Sequence, residues 1–196
     1  MHFYMANTSW DKLLNKESLP FQTNYFQVLQ THISYIFITD SIVYKIKKPV
    51  NFGFLDFTTI DKRKFYCERE VELNRRLCKD LYLGVVPITK TDKGYKIEGE
   101  GEIVDYAVKM KRLPEEGMML KLLKEKKITY LHIDLIINKL IPFYRNAETG
   151  EKVNIYGTIQ IVSFNIEENF LQTKDFVGIA LSERKYRHII DYSRNF

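Results

Sequence analysis

Three charged side chains lie where a charge must either be paired or bind a ligand. A helix is predicted from Ile60 to Cys78, and at 100° per residue Glu70 falls near the middle of its apolar arc. A carboxylate inside a buried stripe is costly unless a cation or hydrogen-bond donors meet it. Lys45 and Lys47 are the candidates, because they share one face of a predicted strand, Ile42–Lys47. The apolar arc itself consists of Tyr66, Cys67, Val71, Leu73, Leu77 and Cys78.

These three charged side chains could together bind phosphate groups. A strand lysine that meets a helix glutamate is the pair that kinases use to hold the α- and β-phosphates of ATP. The alternative is a half-exposed Glu70 at the edge of the helix, beside a surface lysine. Glu68 and Glu72, which point to solvent, show how ordinary such exposed glutamates are on this helix. The pattern alone leaves both interpretations open.

The elements that must position these residues form a β-rich part followed by an α-rich part. Strands are predicted from their aromatic and β-branched residues at Tyr25–Gln30, Ser34–Thr39, Ile42–Lys47, Tyr95–Glu98 and Glu102–Met110. Asp40-Ser41 is a tight turn, and Thr58 or Thr59 caps the long helix. Other helices are predicted at Thr8–Asn15, Gly117–Lys126, Thr129–Arg145, Asn165–Gln172 and Ser182–Asn195. The fold class is therefore α+β, with a hinge at Lys111–Gly117.

Composition narrows the classes of protein. Hydrophobic residues make up 45% of the 196 residues, which favours a folded chain. No apolar run reaches the roughly 18 residues of a membrane span, and the N-terminus lacks a secretory signal pattern. We therefore expect a cytoplasmic protein without a membrane partner.

Cys67 and Cys78 are expected to be reduced core residues, and the basic run Lys62-Arg63-Lys64 to lie on a solvated helix face. The net charge of +5 permits nucleic acid as a partner, which we do not expect.

Several segments together resemble one family, the aminoglycoside-phosphotransferase-like domain with a protein-kinase-like fold. This domain forms the N-terminus of bacterial two-part proteins that carry a P-loop ATPase-type domain downstream. The resemblance covers residues 30–113 closely and the later helices more loosely. The segments that carry it are Thr31-His32-Ile33-Ser34, Tyr44-Lys45-Ile46-Lys47-Lys48-Pro49-Val50, Gly53-Phe54-Leu55-Asp56-Phe57, Glu70–Leu77 and Leu81–Pro87.

The resemblance implies a kinase-like small lobe over residues 1–113, an antiparallel sheet plus one long helix, and an incomplete α-helical large lobe over residues 114–196. It implies ATP, with or without Mg²⁺, as the cofactor. Lys45 would anchor the phosphates, with Lys47 as the alternative, and Glu70 would be the partner. The loop with His32 and Ser34 would cover the phosphates, although His32 is equally compatible with a turn histidine packed on an aromatic ring. The backbone of Lys111, Arg112 and Leu113 would meet adenine.

A kinase-fold enzyme also needs a catalytic Asp and metal-binding Asn and Asp residues. Two segments imitate them, but His132-Ile133-Asp134 lies in an apolar helical run, and Asp175-Phe176-Val177-Gly178 has one residue inserted into Asp-Phe-Gly. We therefore assign no catalytic residue and no metal ligand. The expected function is the nucleotide-binding portion of a truncated phosphotransferase, completed by a downstream catalytic or P-loop polypeptide. The alternative is a pseudokinase-like module that binds nucleotide or a protein partner without phosphoryl transfer. The acceptor substrate is left open.

Overall fold

The computed structural model describes residues 10–195, whose centre is a six-stranded antiparallel sheet. Neighbouring strands follow the order β1-β2-β3-β6-β4-β5. The fold is therefore of the predicted α+β class, with an antiparallel sheet. The strands are β1 (Phe26–Gln30), β2 (Ser34–Thr39), β3 (Ile42–Lys47), β4 (Tyr82–Thr91), β5 (Gly94–Ile97) and β6 (Glu102–Lys111).

One strand of the sheet, β4, was not predicted from the sequence. Gly84 and Pro87 are residues that strands normally avoid, and they interrupt the apolar pattern. Tertiary pairing overrides them, since β4 pairs with β6 from Tyr82 to Lys90 and with β5 over its last residues. The other five strands match their predicted positions to within one residue at either end, and Asp40-Ser41 forms the predicted turn.

Seven helices occur in the described part of the chain. The long helix begins as predicted, with Thr59 as its cap and Asp61 in its first turn, but it ends at Arg75. The first two residues of the helix predicted at Thr8–Asn15 lie outside the described residues. The helices are α1 (Trp10–Leu13), α2 (Ile60–Arg75), α3 (Met119–Lys124), α4 (Tyr130–Arg145), α5 (Glu151–Asn154), α6 (Ile159–Thr173) and α7 (Glu183–Asn195).

The two faces of the sheet bury different apolar clusters, because successive strand residues point to opposite sides. Tyr44 and Ile46 of β3 belong to the larger cluster. Val108 of β6, which pairs with Lys45, lies on the other face and packs against Cys67 and Val71 of α2. The larger cluster consists of Trp10, Leu14, Leu19, Tyr35, Phe37, Tyr44, Ile46, Ile88, Ile97 and Ala107.

A buried ionic network fastens α2 to β6 and corrects one prediction. Arg63 was expected on a solvated face, but it is 7% exposed and its Nε donates to Asp105 Oδ1 at 2.8 Å. Trp10 Nε1 donates to the other Asp105 oxygen at 3.1 Å, and Arg63 also donates to the carbonyl of Phe57. Burial raises the pKa of the Asp105 carboxyl, against the opposing effect of Arg63. Lys62 and Lys64 are exposed, as expected.

Two further predictions about α2 were wrong. Cys78 is exposed rather than in the core, and Leu73, assigned to the apolar arc, is 45% exposed. The helix ends at Arg75, so Cys78 lies outside the element whose periodicity placed it in the core. Cys67 is buried and free as predicted, and burial raises its pKa to about 12.

The chain divides into two compact units, of which the first ends at Phe143 and the second begins at Tyr144. The boundary that the resemblance implies, between residues 113 and 114, stays a prediction. Among the described residues, no helix is both long and apolar enough to cross a bilayer.

Candidate functional site

The three predicted charges form one cluster between β3 and α2. Lys45 Nζ donates to Glu70 Oε1 at 2.9 Å, and Lys47 Nζ donates to Glu70 Oε2 at 2.7 Å. The alternation of β3 places both lysines on the face that α2 covers, and Glu70 lies on the facing side of the helix. The carboxylate is thus shared by two ammonium groups, one on each oxygen.

The two lysines differ in their access to solvent. The side chain of Lys45 is 28% exposed, that of Lys47 is 6% exposed, and that of Glu70 is 14% exposed. Lys47 Nζ also lies 4.9 Å from the centroid of the Phe57 ring, which is itself buried. An ammonium over an aromatic face is attracted by the ring quadrupole. Lys47 is therefore enclosed, whereas Lys45 reaches the surface.

The electrostatics of Glu70 follow from these contacts. Burial would raise the pKa of the Glu70 carboxyl, but the hydrogen bonds and charges of Lys47 and Lys45 outweigh burial and hold the pKa below its ordinary value. Glu70 is accordingly ionised at neutral pH. With both lysines protonated, the cluster carries one excess positive charge, which suits it to an anionic ligand.

The hairpin that joins β1 to β2 holds His32 and Ser34. Thr31 closes the turn, since its amide donates to the Ser34 carbonyl at 2.9 Å and its Oγ1 accepts from the Ser34 amide at 3.0 Å. His32 is exposed at the tip. Ser34 is fully buried and pairs with Lys47 in the strand register, so its side chain lies on the same face as the charged cluster.

Ser34 Oγ has no hydrogen-bond partner among the described residues. A buried hydroxyl without a partner costs stability, which makes it uncommon in folded proteins. Its place opposite Lys47 adds one unsatisfied polar group to the surroundings of the charged cluster.

The segment Lys111–Leu113 lies at the end of β6 rather than beside Glu70. Lys111 is exposed, and its amide donates to the Leu81 carbonyl at 2.9 Å. Arg112 donates to the Thr39 carbonyl at 3.1 Å and lies 4.4 Å from the Tyr25 ring centroid. The side chain of Arg112 thus fastens this segment to Thr39 of β2 and to Tyr25, which precedes β1, while Leu113 is 55% exposed. The candidate contact of this segment with adenine is therefore its backbone.

The two segments that imitate catalytic loops lie in other surroundings. His132 and Asp134 are within α4, where His132 Nδ1 lies 2.9 Å from Thr129 Oγ1 and Asp134 is exposed. Asp175 is exposed in a single 3-10 turn, Lys174–Phe176. The described residues contain no group of three or more His, Cys, Asp and Glu side chains able to hold a metal ion. We therefore assign none of the described residues as a magnesium ligand.

Phe57 is the site residue that sequence reasoning did not single out. It lies two residues before the cap of α2, and its amide donates to the Val50 carbonyl at 2.8 Å, which holds the ring beneath Lys47. The available signal was an aromatic residue just before α2, the helix that carries a glutamate on its apolar face. The path of the loop between β3 and α2, which brings Phe57 to Lys47, could not be read from the sequence.

The comparisons with known proteins find distant relatives. An uncharacterized protein of Mycobacterium bovis and two of Mycobacterium tuberculosis strains are each 24% identical over 170 residues, which is 85% of this chain and 32% of the relative. The chain thus spans about a third of the length of these relatives. No family model and no solved structure matches.

Proposed function

We propose that the sheet region, residues 10–113, holds ATP, with or without Mg²⁺, as the nucleotide-binding portion of a kinase-like phosphotransferase. The observation that carries this proposal is the ion pair between Lys45 on β3 and Glu70 on α2, with its 2.9 Å distance. In protein kinases a lysine on the third strand and a glutamate on the following helix form such a pair to hold the phosphates.

The surroundings of the pair support the same use. Lys45 is partly open to solvent, so its ammonium is accessible to a phosphate oxygen. The excess positive charge of the cluster favours a polyanion over a neutral ligand. The β1–β2 turn, with the exposed His32 at its tip, precedes β2, the strand next to β3, and is a candidate cover for the phosphates. The backbone of Lys111–Leu113 remains the candidate contact for adenine.

In this proposal the described residues bind nucleotide without supplying a catalytic base. Asp134 and Asp175 are exposed, the first on α4 and the second on a single turn. Phosphoryl transfer would need an aspartate and metal ligands from a further polypeptide segment. The mycobacterial relatives are long enough to contain such a segment, and the resemblance to aminoglycoside phosphotransferases suggests its type.

Calorimetric titration with ATP, in the presence and absence of MgCl2, tests nucleotide binding. We expect binding that weakens about tenfold or more in Lys45→Met, the size of one charge-assisted contact. The matched control is Lys93→Met, which removes one charge from an exposed turn and should leave the affinity unchanged. Absence of binding at millimolar ATP, or equal affinity in both variants, would contradict the proposal.

Binding of a polypeptide is the second candidate function, and the apolar surface of α4 favours it. Leu131, Leu135 and Ile137 are between 43% and 64% exposed. A surface of this kind is typical of a protein–protein contact. Co-expression with the part of the Mycobacterium tuberculosis relative outside the matched 170 residues tests it. Co-purification that Leu135→Asp abolishes would support this function, and no complex with the wild-type chain would count against it.

A further inference from the structure

The two lysines on Glu70 are not equivalent, and their difference assigns them separate tasks. We propose that Lys47 is a positioning residue: it neutralises Glu70, so that Lys45, the phosphate-binding lysine of the proposed function, is available to the ligand. This inference rests on the proposed nucleotide binding and deepens it.

Access to solvent separates the two roles. A ligand phosphate can reach an ammonium only from the surface, and the Lys45 side chain is 28% exposed whereas that of Lys47 is 6% exposed. Lys47 is held on three sides: by Glu70 at 2.7 Å, by the Phe57 ring at 4.9 Å and by its place beside Ser34 in the sheet. Lys47 is therefore fixed, and Lys45 is the movable partner.

The need for a second cation follows from the burial of Glu70. When Lys45 turns towards a phosphate, its hydrogen bond to Glu70 Oε1 weakens or breaks. A largely buried carboxylate left without a cation is strongly destabilising. Lys47 donates to the other oxygen, Oε2, so the carboxylate keeps one charged partner throughout. A single-lysine site would instead make the phosphate and Glu70 compete for the same ammonium.

This competition gives the experiment. In Lys47→Met, Lys45 becomes the sole partner of Glu70, and we expect ATP affinity to fall about tenfold by calorimetry, as for one charge-assisted contact. In the double variant Lys47→Met/Glu70→Gln no carboxylate holds Lys45, so the affinity should return to within about threefold of the wild type. Lys93→Met is the control for loss of one positive charge, and thermal unfolding of each variant reports whether it folds.

If Lys47 served folding alone, adding Glu70→Gln to Lys47→Met would not restore the ATP affinity. If Lys47→Met binds ATP as tightly as the wild type, or if it binds weakly and the double variant does not recover, the division of roles is wrong. If the wild type does not bind ATP, the proposed function fails first, so the two failures are distinguishable.

Amine labelling provides a measurement on the unmodified protein. With N-hydroxysuccinimide acetate and peptide mass spectrometry, we expect Lys45 to react faster than Lys47, and saturating ATP to slow the reaction of Lys45 but not of the exposed Lys93. Adenosine, which lacks phosphates, should protect neither lysine. Faster labelling of Lys47 than of Lys45, or ATP protection that falls on Lys47 alone, would overturn the assignment.

Discussion

The sheet region, residues 10–113, and the helical region, residues 119–195, bury their apolar side chains to very different extents. In the sheet region, Phe37, Tyr44, Ile46 and Ile88 are each 0% exposed. In the helical region no described residue is buried, although α4 is rich in Leu and Ile. Both regions contain helices with apolar side chains. Among the described residues, however, apolar side chains are fully removed from water only where they pack in the sheet region.

This difference matters for the candidate site. The charges of Lys45, Lys47 and Glu70 are held at fixed distances because a packed sheet and a packed helix enclose them. His132 is half-buried beside Thr129, and Asp134 and Asp175 are exposed, so these side chains lack a comparable enclosure. Preorganisation of charge requires a buried frame, and the frame exists in the sheet region.

The largest contrast is expected from truncation of one apolar side chain in each region. Phe37→Ala should lower the free energy of unfolding by about 3–5 kcal/mol, because the ring is fully buried in the larger cluster. Leu135→Ala, at a side chain that is 60% exposed, should change it by less than about 0.5 kcal/mol. Urea unfolding followed by circular dichroism measures both. Similar losses would show that α4 is packed in solution.

Charge removal should sharpen the comparison. Asp105→Asn leaves the buried Arg63 without its counter-ion and should cost about 3 kcal/mol, within the range for a broken buried pair. Asp134→Asn, at an exposed helical position, should cost less than about 0.5 kcal/mol. The same urea titrations test this pair. A small effect at Asp105 would mean that water compensates Arg63.

Hydrogen exchange compares the regions without mutation. Amides of β3 and β6 lie in the middle of the sheet and should exchange at least about a hundredfold more slowly than those of α4, since a helix with few buried contacts opens locally. Mass spectrometry of peptic fragments measures the rates. Equal protection would place both regions in one cooperative unit.

The smallest expected effect concerns pH. The pKa of Glu70 is lowered in the folded protein, so its contribution is present above the ordinary carboxyl pKa and is lost as pH falls below about 4.5 through the folded value. Glu70→Gln should therefore make the loss of unfolding free energy below pH 4.5 less steep than in the wild type.

The matched control lies in the helical region, where Glu167 is exposed and its pKa is lowered by Arg194. Because solvent screens that pair, Glu167→Gln should leave the pH profile of unfolding unchanged. A steeper acid loss in Glu70→Gln than in the wild type would contradict the assignment of Glu70 as an ionised, stabilised group.

Much of the frame could be predicted from residue patterns. The strands Ser34–Thr39 and Ile42–Lys47 have their predicted bounds, and α2 begins at the predicted cap. Helical periodicity placed Glu70 on the side of α2 that faces the sheet, because a 100° repeat is a local property. The same arithmetic was wrong for Leu73, within the helix, and for Cys78, beyond its end at Arg75, since both side chains are exposed.

By itself the sequence determined which groups were available: two lysines on one strand face and a glutamate on an apolar helix face. Those facts depend on alternation and periodicity, which act over a few residues. Only the tertiary structure decided that both lysines share the carboxylate, that Phe57 lies beneath Lys47, and that Arg63 is buried against Asp105. These contacts join segments 10 to 42 residues apart, and their distances depend on strand register and helix packing, which no local pattern encodes.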